Sequence, residues 1–141
     1  MTRRRLGLLA AVFVVVALGA AAALGNDDAS EPEGVASEAG RYRVVLESDP
    51  ESSPVNRLHA WRFQLLDRDG APVDGARFEV DGDMPAHGHG LPTRPLVREL
   101  GGGDYVIDGM KFQMGGRWYV QLRIDADGGS DTLRLDFDLA P

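Results

Sequence analysis

The 141-residue sequence has no cysteine, and this absence excludes several classes of site. A chain without cysteine has no disulfide bond, thiolate metal site, iron–sulfur cluster, cysteine nucleophile or lipidated-cysteine anchor. The sequence also lacks GxSxG, HExxH and P-loop motifs, and it has no GxGxxG motif after a predicted strand. We therefore do not expect this protein to be an enzyme.

Positive charge is scarce in most of the chain. There are 15 Lys and Arg residues against 22 Asp and Glu residues, which gives a formal net charge of −7. Three of the positive charges, Arg3, Arg4 and Arg5, lie at the extreme N-terminus, so the remainder is more acidic than the total. A nucleic-acid-binding domain presents a basic face. We therefore expect no nucleic-acid partner.

The long apolar run of the sequence lies at the N-terminus. Arg3–Arg5 precede Leu6–Leu24, which contains no charged residue. This pattern predicts a hydrophobic helix within residues 1–25 that is either a signal peptide, cleaved near Ala20–Ala23, or an uncleaved membrane anchor. As a helix, Leu6–Gly25 would span about 30 Å, enough to cross a bilayer. Both interpretations predict an extracytoplasmic location, either periplasmic or membrane-anchored and facing outward.

The next segment, residues 26–40, is acidic and poor in large apolar side chains. Such a segment buries too little apolar area to offset the entropy lost on ordering. It is predicted to be a flexible acidic linker. The folded domain is then predicted to comprise residues 41–141.

Apolar and polar residues alternate with a period of two after residue 41, which is typical of half-buried β-strands. Turn sequences such as Asp69-Gly70 and Gly101–Gly103 separate the runs. About seven strands are predicted, at Tyr42–Leu46, His59–Leu65, Ala76–Val80, Leu96–Leu100, Asp104–Ile107, Trp118–Ile124 and Leu133–Leu139. The pattern predicts an all-β, two-sheet antiparallel sandwich, with a small barrel as the competing fold. The predicted core comprises Trp61, Phe63, Phe78, Trp118, Leu122, Leu135 and Phe137.

Histidine and methionine concentrate in two segments of this domain. Residues 83–95 contain Met84, His87 and His89, and residues 109–116 contain Met110 and Met114. An extended His-x-His sequence would place both rings on one face, and an extended backbone would place Met110 and Met114 on one side. Thioether sulfur is a soft ligand suited to Cu(I), and imidazole binds both copper states. If folding brings the segments together, Met84, His87, His89 and Met114 form a candidate two-nitrogen, two-sulfur copper site.

Structural interpretations of the same residues stay open from the residues alone. Methionine at strand parity commonly fills a core, and His87 and His89 would also suit a role in capping turns. His59, on the inward parity of a strand, is predicted to be structural. Asp125, Asp127 and Asp131 form a weaker candidate for a calcium site.

The two segments also carry a family resemblance. Met84-Pro85-Ala86-His87-Gly88-His89-Gly90, followed by Phe112-Gln113-Met114-Gly115-Gly116-Arg117-Trp118, resembles the YtkA-like domain, which is related to FixH-like proteins. The resemblance covers most of residues 41–141. It implies a small exported or membrane-anchored immunoglobulin-like β-sandwich with Met84, His87, His89 and Met114 as metal ligands. It also implies that Met110 is a generic apolar position.

Two functional hypotheses follow from these observations. FixH-like proteins are associated with copper supply to respiratory oxidases, so the resemblance implies an extracytoplasmic module that binds copper and delivers it to a membrane partner such as an oxidase. The alternative is a metal-free immunoglobulin-like interaction module of the cell envelope. That alternative predicts that Met114 points into the core, away from both imidazoles.

Overall fold

The computed structural model describes residues 34–141. The hydrophobic helix predicted within residues 1–25 and the first part of the predicted linker lie outside the described residues. Within residues 34–141 no helix is long and apolar enough to cross a membrane. The described chain is all-β apart from a short 3₁₀ helix, Pro50–Ser52, which Asp49 caps by accepting a hydrogen bond from the N–H of Glu51.

The alternating pattern forms strands where it was predicted. Seven strands of five residues or more occur, and two strands of two residues are added to them. In chain order they are β1 Val35–Ala36, β2 Tyr42–Leu46, β3 His59–Asp67, β4 Arg77–Met84, β5 His89–Gly90, β6 Leu96–Gly101, β7 Asp104–Met110, β8 Gly116–Ala126 and β9 Gly129–Leu139. The seven predicted strands are thus confirmed: β2 has the predicted bounds, and the bounds of the other six differ by a few residues.

The strands form two antiparallel sheets. One has the order β1-β2-β3-β7-β6 and the other has the order β5-β4-β8-β9. β8 and β9 form the longest ladder, a hairpin in which Trp118 lies opposite Phe137 and Ala126 opposite Gly129. This arrangement confirms the predicted two-sheet sandwich over the competing barrel.

Aromatic side chains join the two sheets through the core. Trp61 of the first sheet meets Phe137 of the second edge-on, with ring centroids 5.6 Å apart. Phe63 and Phe78 make a similar contact at 5.3 Å. Six of the seven predicted core residues are buried, and Phe78 is partly buried against them. Because no disulfide is present, this packing holds the sandwich together.

The domain begins earlier than the sequence predicted. Residues 35–40 were assigned to a flexible linker, yet Val35 and Ala36 pair with Val44 and Arg43 as strand β1. Ser37, which follows, is 4% exposed. Composition did not reveal this strand because its hydrogen-bonding partners lie elsewhere in the chain. The predicted boundary at residue 41 therefore lies inside the folded domain.

Strand β4 also extends further than predicted, to Met84 instead of Val80. The sequence Asp81-Gly82-Asp83 resembles a turn, but Gly82 occupies an inward position of the strand. A Cβ at Gly82 would lie 3.0 Å from both Leu91 Cγ and the carbonyl oxygen of Tyr119. Glycine here leaves room for Leu91 to pack over the strand, and β4 stays paired with β8 through Gly82 and Asp83.

Candidate functional site

The predicted ligands lie at one end of the sandwich. β4 ends there at Met84, and β8 begins there at Gly116. A turn over residues 85–88 connects β4 to β5, and residues 111–115 connect β7 to β8. Antiparallel pairing of β4 with β8 brings these two connections to the same end. The fold therefore places the two His- and Met-containing segments side by side.

His87 and His89 are brought together by a turn. The backbone N–H groups of His87 and Gly88 each donate a 2.9 Å hydrogen bond to the carbonyl oxygen of Met84. Gly88 has a φ of 61°, in the left-handed region that glycine tolerates. The expectation of an extended His-x-His strand is therefore wrong. The two rings nevertheless lie close, with centroids 6.1 Å apart and planes inclined by 16°.

Met84 lies beneath this turn. It is the last residue of β4, is 2% exposed, and lies opposite His89 in the β4–β5 pair. Directly opposite residues of an antiparallel pair have Cβ atoms about 5 Å apart on one face of the sheet. Met84 is thus a close neighbour of His89, but its side chain belongs to the core. Its methyl group rests against the backbone of Gly116.

Met114 does not lie on the same side of a strand as Met110, as an extended backbone would require. Met110 and Phe112 are completely buried, whereas Met114 is 36% exposed. β7 ends at Met110, and residues 111–115 leave the strand, so the shared parity of the sequence is lost at Met114. The Met114 carbonyl accepts a 3.1 Å hydrogen bond from Trp118 Nε1. This bond ties the exposed loop to a buried ring of β8.

A side chain that the sequence analysis did not single out connects the two segments. Gln113 Nε2 donates a 3.2 Å hydrogen bond to the carbonyl oxygen of Gly90, the residue after His89. Its Oε1 is buried and has no hydrogen-bond partner in the described part of the chain. Only the position of Gln113 between Phe112 and Met114 could have drawn attention to it.

The third histidine, His59, lies at the same end and is partly buried against the aromatic core. The His59 ring is 5.5 Å from Phe112 and 6.4 Å from Trp61. Its Nδ1 is 3.0 Å from the carbonyl oxygen of Arg57, while its buried Nε2 has no partner among the described residues. The surroundings fit the predicted structural role, although only one ring nitrogen is hydrogen-bonded.

Carboxylate sites find less support. Among the residues that the structure describes, no three His, Asp or Glu side chains converge closely enough to hold a metal ion. Asp131, one of the three calcium candidates, is 8% exposed and binds protein donors, including Ser37 Oγ at 2.6 Å. Asp125 forms an ion pair with Arg77 at 3.1 Å. The calcium hypothesis is therefore not supported within residues 34–141.

The model of the YtkA-like family matches residues 35–123. The chain belongs to the YtkA-like family. The match includes Met84, His87, His89 and Met114 and ends within β8, so β9 lies beyond it. No curated protein and no solved structure shows significant similarity to the chain.

Proposed function

We propose that this YtkA-like protein is an extracytoplasmic copper-binding module that delivers copper to a membrane partner such as a respiratory oxidase. The observation that supports the proposal best is the paired imidazoles of His87 and His89, whose turn is hydrogen-bonded to the Met114 segment through Gln113 and Gly90. We also propose that the protein is related to FixH-like proteins. We further propose that its sandwich is immunoglobulin-like.

The available donors favour a soft cation. The chain has no thiolate, and the described residues include no group of three His, Asp or Glu side chains suited to a metal. A site at this end would therefore combine imidazole nitrogen with thioether sulfur. This combination suits Cu(I), whereas hard cations such as Ca²⁺ require oxygen ligands.

Exposure divides the candidate ligands into two groups. His87 and His89 are exposed and Met114 is partly exposed, so an ion from solvent would meet these three side chains first. Met84 is buried next to His89 and would contribute its sulfur from the core side. Exposed ligands suit a delivery protein, because a partner can replace them one at a time without unfolding the domain.

The proposed location depends on the N-terminal segment. The basic residues followed by an apolar run suggest export, with the domain held by an anchor or released after cleavage. In either case the sandwich would face the compartment in which a membrane oxidase receives copper.

The alternative function is a metal-free interaction module. Leu58 and Leu96, which are 69% and 74% exposed, are apolar side chains that such a module could present to a partner. The exposure of Met114 argues the other way, since this alternative predicts a buried Met114. Copper binding is therefore preferred.

Titration with Cu(I) tests the proposal directly. Purified full-length protein in detergent would be titrated in competition with a chromogenic Cu(I) chelator. We expect one Cu(I) to bind per chain, and we expect the combined variant His87→Ala, His89→Ala, Met114→Leu to lose at least a hundredfold in affinity.

The chain offers matched controls for this experiment. His59→Gln and Met110→Leu change the same residue types at the same end of the sandwich. His59 is partly buried against Phe112, and Met110 is completely buried in the core. Both controls should retain wild-type copper affinity. Absence of Cu(I) binding by the wild type, or equal affinity of the wild type and the combined variant, would contradict the proposal and leave the metal-free module.

A further inference from the structure

The side chain of Gln113 joins two segments: strand β5, which follows the turn over residues 85–88, and the connection over residues 111–115. Its Nε2 donates to the carbonyl oxygen of Gly90 at 3.2 Å, and it precedes Met114 in the chain. Phe112, on its other side, is completely buried and anchors the loop. Gln113 is therefore positioned by the buried neighbour Phe112 on the backbone side and by the hydrogen bond to Gly90 at its side-chain amide.

The other amide atom of Gln113 is unsatisfied. Oε1 is buried from solvent and accepts no hydrogen bond in residues 34–141. A buried amide oxygen without a donor loses its hydration and gains nothing in return, so such atoms are uncommon in folded proteins. A donor placed within reach of Oε1 would therefore be stabilised by it.

The neighbouring residue can supply that donor. Nε2 and Oε1 of Gln113 are bonded to the same carbon. The hydrogen bond from Nε2 to Gly90 therefore brings Oε1 close to Gly90, which directly follows His89. A histidine that binds a metal through one ring nitrogen carries its proton on the other, and that N–H is usually held by a carbonyl or carboxylate oxygen. The acceptor fixes the ring orientation and strengthens the ligand.

We propose that Gln113 is a positioning residue of the copper site, whose Oε1 accepts the ring N–H of His89 when the other nitrogen of His89 binds Cu(I). This inference rests on the proposed copper-binding function. The role of Gln113 depends on the hydrogen bond by which its side chain reaches Gly90.

Two substitutions separate this role from that of a simple clamp. Gln113→Met keeps the length of the side chain but removes both polar atoms. Gln113→Glu keeps an acceptor oxygen but cannot donate to the carbonyl of Gly90. We expect Gln113→Met to lower Cu(I) affinity by roughly ten- to a hundredfold, the usual effect of removing such a partner. We expect Gln113→Glu to stay within about threefold of wild type.

NMR of the loaded protein supplies a readout that is independent of affinity. Cu(I) is diamagnetic, so the His89 ring N–H is observable with ¹⁵N-labelled histidine. We expect a slowly exchanging ring proton in the wild type and in Gln113→Glu, and rapid exchange in Gln113→Met. Circular dichroism would verify that both variants fold.

The outcomes distinguish this inference from the proposed function. If the wild type binds no Cu(I), the proposed function fails and this role fails with it. If the wild type binds Cu(I) but Gln113→Met shows the same affinity and the same slow ring proton, only the role of Gln113 is overturned. Equal losses in Gln113→Met and Gln113→Glu would likewise overturn the acceptor role, leaving Gln113 as a clamp.

Discussion

Ser37 Oγ donates a 2.6 Å hydrogen bond to Asp131 Oδ2, across a separation of 94 residues. The same carboxylate accepts hydrogen bonds from the backbone N–H groups of Ala39, Arg41 and Thr132. Asp131 lies in β9 of the second sheet, whereas Ser37 follows β1 of the first. This buried carboxylate therefore holds the start of the domain to the opposite sheet.

Replacing this carboxylate should destabilise the domain. Asp131→Asn keeps the size of the side chain but sets an NH₂ group against N–H and O–H donors. We expect the free energy of unfolding to fall by about 2 kcal/mol, the effect of leaving buried donors unpaired. Urea unfolding followed by tryptophan fluorescence measures it. Asp138→Asn, at an exposed ion pair of the same strand, should change stability by less than about 0.5 kcal/mol. Equal effects of the two variants would contradict this account.

The same carboxylate should make the domain sensitive to acid. Burial alone would raise the pKa of Asp131, but the hydrogen bonds from Ser37, Ala39, Thr132 and Arg41 outweigh it and lower the pKa to about 2, from 3.8. A carboxyl with a lowered pKa stabilises the fold above its unfolded pKa, and this contribution is lost as the pH falls through the folded value. We expect about 2 kcal/mol to be lost between about pH 4 and pH 2.

Acid titration of stability checks this expectation. Urea unfolding of the wild type and of Asp131→Asn would be compared over this pH range. The difference in unfolding free energy between the two proteins should shrink as the pH falls. A difference that stays constant with pH would show that the pKa of Asp131 is the same in the folded and unfolded states.

Two adjacent glycines should differ in their tolerance of alanine. Gly102 and Gly103 both have positive φ, 67° and 80°. A Cβ at Gly103 would lie 2.8 Å from Pro72 Cβ and 2.9 Å from the carbonyl oxygen of Leu65, whereas a Cβ at Gly102 would meet nothing within 4 Å. Gly102→Ala should cost about 1 kcal/mol from its backbone conformation alone, and Gly103→Ala should cost at least about 2 kcal/mol more. Thermal unfolding of the two variants would measure the difference, and equal costs would argue against the close contact.

Met84 and Gly116 should show energetic coupling. A Cβ at Gly116 would collide with the methyl group of Met84. Gly116→Ala should therefore be less damaging in a Met84→Leu background, because leucine lacks that methyl position. We expect a coupling energy of about 1 kcal/mol in a double-mutant cycle measured by urea unfolding. Additive effects would show that Met84 does not rest against Gly116.

The strands were predictable because the information for them is local. Trp118–Ile124 alternates apolar and polar residues, and one side of β8 faces the core over that span. Leu133–Leu139 shows the same correspondence with β9. In such a strand, the alternation alone indicates which residues face the core. Trp61 and Phe137 could therefore be predicted as core residues without any knowledge of their partners.

The errors occurred where a residue's conformation depends on a distant part of the chain. Gly82 resembles a turn residue, but it is part of β4, where it pairs with Val120 of the distant strand β8. Ser37 belongs to an acidic, apparently unstructured segment, but Asp131 holds it in place. Met114 shares the parity of Met110 only in the sequence, because β7 ends before Met114.

The sequence by itself determined the all-β class, most of the core, and the confinement of the candidate soft ligands to two short segments. Tertiary structure decided that these segments meet, that His87 and His89 converge through a turn, and that Gln113 reaches Gly90. The reason is physical: a period of two records which side of a strand is buried. Contact between distant loops depends on strand pairing and on how the sheets pack, which no local pattern encodes.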